Sequence, residues 1–195
     1  MISKIKDSPI YTVFMHSAGL GGAERSALEL IQGLVQAGIS INCVLPIGKE
    51  ELSKLLNAAG ARVETLTNLS WWTHDPISAI QETAAVQTLL ENLESDLVLT
   101  ITGVIPQGAI AARKLGIPHI WFLHEFIDVD HGLKFPFSKE IFTQAVLEFS
   151  EKVICNSNSV KQYFFAELSE KILTIKPLEE QLTLGGLKSV FSHHR

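Results

Sequence analysis

The chain has 195 residues, 46% hydrophobic and 19% charged, which suffices for the core of one domain and falls short of two. Lys and Arg total 16 against 21 Asp and Glu, a formal charge of −5 without a basic tract, so the footprint of a nucleic-acid binder is missing. The start Met1-Ile2-Ser3-Lys4-Ile5-Lys6 leads into Asp7-Ser8-Pro9 rather than an apolar segment, and no run of about 18 apolar residues follows. These features point to a cytoplasmic protein without a transmembrane segment.

After an N-terminal extension over residues 1–9, short apolar runs alternate with longer amphipathic stretches. The runs are Ile10 to Met15, Ile41 to Leu45, Arg62 to Leu66, Leu97 to Ile101, His119 to Leu123, Lys152 to Cys155 and Ile172 to Ile175. Most are apolar at nearly every position, as strands covered on both faces are. Between the first two lies Ala23 to Ala37, whose Ala27, Leu28, Ile31, Leu34 and Val35 fall on one helical stripe ended by Gly38. The same periodicity predicts helices over Glu50 to Ala59, Ile77 to Leu93, Gln107 to Leu115, Lys139 to Phe149 and Val160 to Leu168, with Gly60 and Gly116 placed as helix stops. Repeated βα order predicts a single Rossmann-like α/β domain over 10–177, its mostly parallel sheet carrying helices on both faces. Residues 178–195 read as a short C-terminal tail. Cys43 and Cys155 sit in strand-like runs outside any C-x-x-C spacing and read as buried free thiols.

The turn Gly19-Leu20-Gly21-Gly22-Ala23-Glu24 joins the first strand to its helix. Glycines allow a sharp turn and close backbone approach, and the free N–H groups at a helix start attract anions. A phosphate is the natural ligand; a tight turn without one is the alternative. The dinucleotide fingerprint fails, because its sixth position is Glu24 and no acid ends the second strand at Leu45-Pro46-Ile47-Gly48. A P-loop run is absent as well.

His124-Glu125-Phe126-Ile127-Asp128-Val129-Asp130-His131 follows the fifth strand, where ligands of such sheets bind. It lacks the second His of H-E-x-x-H, so no metal is expected; a substrate contact through His124 and Glu125 and a plain capping loop remain open. Ser157 or Asn158 is a ready helix cap, Trp71-Trp72 could stack on a sugar face or cover the core edge, and His16 could touch a ligand or sit satisfied in the core. Lys134-Phe135-Pro136-Phe137 is either a plain loop or a contact for the inner membrane surface.

Three ordered stretches resemble the N-terminal domain of a GT-B glycosyltransferase of the retaining family 4 type. They are Val13-Phe14-Met15-His16-Ser17-Ala18-Gly19-Leu20-Gly21-Gly22-Ala23-Glu24-Arg25, then Ala111 to Pro118 leading into Phe122-Leu123-His124-Glu125, then Val153 to Lys161. The resemblance implies transfer of a sugar from a nucleotide-diphosphate sugar to a sugar or lipid-linked acceptor, with no further cofactor. It places Gly21 and Gly22 against the donor diphosphate, His124 as the catalytic residue beside the transferred sugar, and Glu125 and Ser157 at the cleft. His16, Glu24, Trp72 and Thr102 complete the expected substrate contacts. The fold would continue with a second domain carrying a basic residue and paired glutamates, and Glu179 and Glu180 do not reproduce that arrangement. The chain is therefore expected to lack the second GT-B domain and to act with a partner chain supplying it. A non-catalytic sugar- or protein-binding module and a truncated gene product are the alternatives.

Overall fold

Each apolar run becomes a parallel strand, because only a sheet covered on both faces can bury side chains pointing alternately up and down. The computed structural model describes residues 8–127, 132, 136–165 and 171–174. The strands are β1 (Ile10–Phe14), β2 (Ser40–Pro46), β3 (Arg62–Leu66), β4 (Leu97–Ile101), β5 (His119–Leu123), β6 (Lys152–Cys155) and β7 (Ile172–Thr174). They lie in the order β3-β2-β1-β4-β5-β6-β7, every neighbouring pair parallel. The expectations placed on Asp128, Val129, Asp130, His131, Lys134, Phe135, Ile175, Glu179, Glu180 and the tail lie outside the described residues.

Seven helices accompany the strands among the described residues: α1 (Gly22–Gln36), α2 (Glu50–Ala58), α3 (Pro76–Gln81), α4 (Thr83–Asn92), α5 (Gln107–Leu115), α6 (Lys139–Phe149) and α7 (Asn158–Phe164). Side-chain alternation splits the core in two. Tyr11, Val13, Met15, Ile41, Cys43 and Leu45 pack with Ala27, Ile31 and Leu34 of α1 and Leu52 and Leu56 of α2. Phe14, Val44, Val98, Trp121 and Leu123 face the other way, onto Ala79, Val86, Leu90, Ala109, Phe142, Val146 and Val160 of α3 to α7. Burial of such side chains contributes about 1.5–3 kcal/mol each. Both cysteines are free and buried, and burial pushes each thiol up to about 12. No described helix is long and apolar enough to cross a membrane.

The single helix expected over Ile77 to Leu93 is two. Asp75 caps α3 by accepting from Ser78 N at 3.0 Å, and the interruption falls at Glu82. The Glu82 carboxylate accepts from Ser70 N at 2.8 Å, Ser70 Oγ at 2.5 Å and Gln107 Nε2 at 2.8 Å. Partners 12 and 25 residues away thus hold the position where the helix stops. Phe137 is partly buried and packs edge-on against Trp72 at 5.2 Å.

His119 begins β5 at the sheet edge opposite the site described below. It is fully enclosed between Thr100 Oγ1 at 2.9 Å from Nε2 and Ser150 Oγ at 3.0 Å from Nδ1. Burial lowers its pKa from 6.5 to about 3, so the folded chain holds it neutral. The unfolded chain protonates this ring below 6.5 and the folded chain does not until about 3. Stability therefore falls as pH drops through that window, by up to about 1.4 kcal/mol per pH unit from this group. Urea unfolding from pH 7 to 4 is expected to give a flatter pH dependence for His119→Gln than for the wild type; equal slopes would rule out this linkage.

Candidate functional site

The strand order reverses between β1 and β4: from β1 one crossover runs outward to β2 and the chain returns on the other side to form β4. At such a switch point the connecting segments diverge and leave a crevice beyond the carboxyl ends of the strands. A cavity of about 680 Å³ opens there, a volume suited to a small-molecule ligand. Its walls are His16, Gly21, Gly22, Ala23, Glu24 and Ser26 after β1, Trp71 after β3, Val104 after β4, His124 and Glu125 after β5, and Asn156 after β6. The strands set the positions, and the residues just past their ends form the lining.

The glycine turn is shaped by Glu24, a buried carboxylate in the first turn of α1. Its Oε2 accepts from Gly21 N at 3.0 Å, while Arg25 N bonds Gly21 O at 3.1 Å to begin the helix. A Cβ on residue 21 would lie 2.6 Å from that carboxylate oxygen, so a larger residue here would displace the Glu24 carboxylate from the turn, whereas the φ of −81° makes no demand for glycine. Nothing lies within 4 Å of a Cβ placed on Gly22, and this residue and Ala23 line the cavity with first-turn N–H groups that have no partner inside an α-helix. Oε1 of Glu24 faces Nδ1 of His16 at 3.3 Å. One buried carboxylate thus bonds the turn and lies beside a cavity histidine.

His124 lines the same cavity as this turn's histidine. Burial, with His16 nearby, lowers its pKa from 6.5 to about 4, so it is a neutral imidazole at physiological pH. Its ring lies 4.0 Å from Phe122. Glu125 Oε1 accepts from Gly103 N at 3.2 Å, joining the segments that follow β5 and β4. Ile127 packs where a Cβ on Gly103 would collide with it, and holds the left-handed φ of 68° that a β-branched residue rarely adopts. The loop carrying His124 and Glu125 is therefore fixed from both sides.

Two expected contacts are corrected by burial. Trp72 is 6% exposed, donates its Nε1 to Gly103 O at 2.7 Å and stacks in the core on Trp121. Its neighbour Trp71 takes the cavity position, between His16 at 5.4 Å and His74 at 5.5 Å. Thr102 is buried with φ 71°, its carbonyl accepting from Trp121 Nε1 at 2.6 Å; it ends β4 by a sharp bend and does not line the cavity. Ser157 fills the capping alternative, accepting from Val160 N at 3.2 Å at the start of α7. The cavity position is held by Asn156, which was not singled out; being the first residue past β6 was the available signal. His16, Gly21, Gly22, Glu24, His124 and Glu125 do meet in one cavity. Among the described residues no group of three His, Cys, Asp or Glu side chains could hold a metal ion.

Among the described residues, the lining contains two carboxylates and no Lys or Arg. An anion here meets only the N–H groups and dipole of α1, whereas neutral hydroxyls meet His124, Asn156 and Glu125. Glu24→Ala removes the Gly21 acceptor and is expected to lower unfolding free energy by about 1–2 kcal/mol in urea titrations, with Glu24→Gln retaining most of it; an unchanged Ala midpoint would refute the capping role. The His124 ring resonances are expected not to titrate between about pH 5 and 8 in NMR, since burial holds the ring neutral; a transition in that range would contradict the neutral state.

The family model described as Glycosyltransferase Family 4 matches residues 20–176. No curated protein sequence matches the chain. Among solved structures, a glycosyltransferase from Rickettsia africae superposes with TM-score 0.67 at 18% identity, over 88% of this chain and 43% of that one. HepE from Anabaena, in complex with UDP and glucose, gives 0.59 at 18%, over 86% and 44%. MurG from Acinetobacter baumannii gives 0.58 at 20%, over 84% and 44%. The chain thus spans less than half the length of each of these structures, and the likeness at such identities is one of fold, that of the N-terminal half of a GT-B enzyme. With the family match extending from the glycine turn to the end of the last strand, the chain belongs to glycosyltransferase family 4.

Proposed function

We propose that this domain forms the acceptor-side wall of a cleft in which a sugar passes from a nucleotide-diphosphate sugar to a sugar or lipid-linked acceptor. The observation that carries this is that the Gly21-Gly22-Ala23 helix start and the neutral His124 line one cavity at the switch point. The helix start offers backbone N–H groups to the diphosphate as negative charge grows on the leaving group. His124 contacts the transferred sugar without adding a competing positive charge. UDP is the first nucleotide to test, because the HepE structure holds UDP and glucose.

Because the described lining residues include no Lys or Arg, they do not neutralise the full charge of a diphosphate. Transfer therefore requires a second, donor-binding domain facing the cavity, whether joined to these residues or supplied by a partner chain. Retention of the anomeric configuration belongs to the same reading.

Transfer from labelled UDP-sugars is measured with the chain alone and with any protein that copurifies with it. Transfer is expected only when the second domain is present, and His124→Ala is expected to reduce it by about 100-fold. Undiminished transfer after every copurifying protein is removed would overturn the need for a second domain. Sugar binding with no transfer in any combination would make the domain a binding module instead.

A further inference from the structure

Among the residues that line the cavity, Asn156 and His124, at the ends of neighbouring strands, each hold a buried polar atom that the surrounding fold leaves unsatisfied. Asn156 extends the β5–β6 ladder by donating its backbone N–H to Leu123 O at 3.0 Å. Its side-chain Nδ2 donates to His124 O at 2.6 Å. Only the amide nitrogen can donate to a carbonyl, so this bond fixes which way the amide points and turns Oδ1 away from the ladder. Oδ1 is buried and has no hydrogen-bond partner among the described residues; the same holds for Nε2 of His124. Both residues line the cavity.

Buried polar atoms in folded proteins are nearly always paired, and an unpaired one costs about 1–3 kcal/mol. Two on adjacent strand ends, in one cavity, mark a place where a ligand supplies the partners. Their chemistry restricts the ligand. An amide oxygen only accepts, and a neutral imidazole nitrogen accepts or donates once. With Glu125 also in the lining and no Lys or Arg among its described residues, the ends of β5 and β6 offer an anion no cationic partner and suit uncharged hydroxyls.

The geometry points to Asn156 as a sugar-binding residue: its Oδ1 accepts a hydrogen bond from one hydroxyl of the sugar in the cavity, beside a second hydroxyl at Nε2 of His124. The assignment rests on the sugar-transfer reading above and adds the residue that reads the sugar apart from its nucleotide. The diphosphate meets the start of α1, and the sugar ring extends from there to the ends of β5 and β6. Asn156 is thus a contact, and through Nδ2 it also holds the backbone of His124.

The test is an NMR titration of the ¹⁵N-labelled full chain with UDP, UDP-glucose and UDP-N-acetylglucosamine, and with GDP and GDP-mannose. At least one sugar nucleotide is expected to bind about tenfold more tightly than its bare diphosphate and to shift the Asn156 side-chain amide. Asn156→Ala is expected to abolish that gain while binding of the bare diphosphate stays within about twofold, and Asn156→Ser, which keeps an acceptor oxygen, to recover part of it. A gain that survives Asn156→Ala, or no gain from any sugar, overturns the assignment. In those cases shifts of the Gly21, Gly22 and Ala23 amides by bare nucleotide leave the diphosphate contact of the sugar-transfer reading standing; their absence with every nucleotide removes that contact together with the assignment.

Discussion

The site depends on one topological constraint, the reversal of strand order between β1 and β4. Right-handed crossovers that leave β1 in one direction and return for β4 in the other cannot cover the carboxyl edge where they part. A crevice at that edge follows from chirality alone, before any side chain is chosen. What the sequence adds is the identity of the few residues just beyond each strand. The core below holds those strand ends rigid, since Phe14, Trp121, Leu123 and Cys155 pack in one continuous layer with Phe142 and Val146 of α6.

Rigid strand ends alone would leave the loops free, and long-range bonds supply the remaining order. Fully buried Gln107 donates to Ser70 O at 2.7 Å, Trp72 donates its backbone N–H to Val104 O at 3.1 Å, and Glu125 accepts from Gly103. Trp71 is thus held on either side by neighbours whose bonds reach other loops. The left-handed Thr102 and Ile127 belong to the same ring of loops. Such backbone strain is tolerated where surrounding contacts over-determine the conformation, as they do here, and is frequent beside functional sites.

Much of this was legible in the sequence, and the exceptions share a cause. Four of the seven strands, Arg62–Leu66, Leu97–Ile101, His119–Leu123 and Lys152–Cys155, have the bounds that the sequence pattern predicted; Leu97–Ile101 and His119–Leu123 are buried at every position, as doubly covered parallel strands are, whereas Arg62–Leu66 is a partly exposed edge strand. The glycine turn was legible because its requirement is local, a carboxylate three residues ahead of the N–H it accepts from. The break at Glu82 was not, since helical periodicity runs through it and the deciding bonds come from Ser70 and Gln107. Nor could adjacent tryptophans in a loop be told apart: Trp72 is taken inward by Gly103 O, a partner 31 residues away, and Trp71 is left at the cavity. The same limit separated Asn156 from Ser157, neighbours of similar polarity, one committed to the cavity and the other to a helix cap.

With no Lys or Arg among the described lining residues, the two halves of a transferase would divide the work of holding a diphosphate. Helix N–H groups orient an anion but carry no net charge, and Glu24 and Glu125 already give this wall a negative potential. A diphosphate resting here alone would remain largely hydrated and hold weakly. Its firm capture would coincide with the approach of a cationic surface from the other side, so that donor affinity and cleft closure become a single quantity. Water would then be driven from around the sugar at the moment the charges are matched, and a loosely seated donor would be shed before it could be hydrolysed.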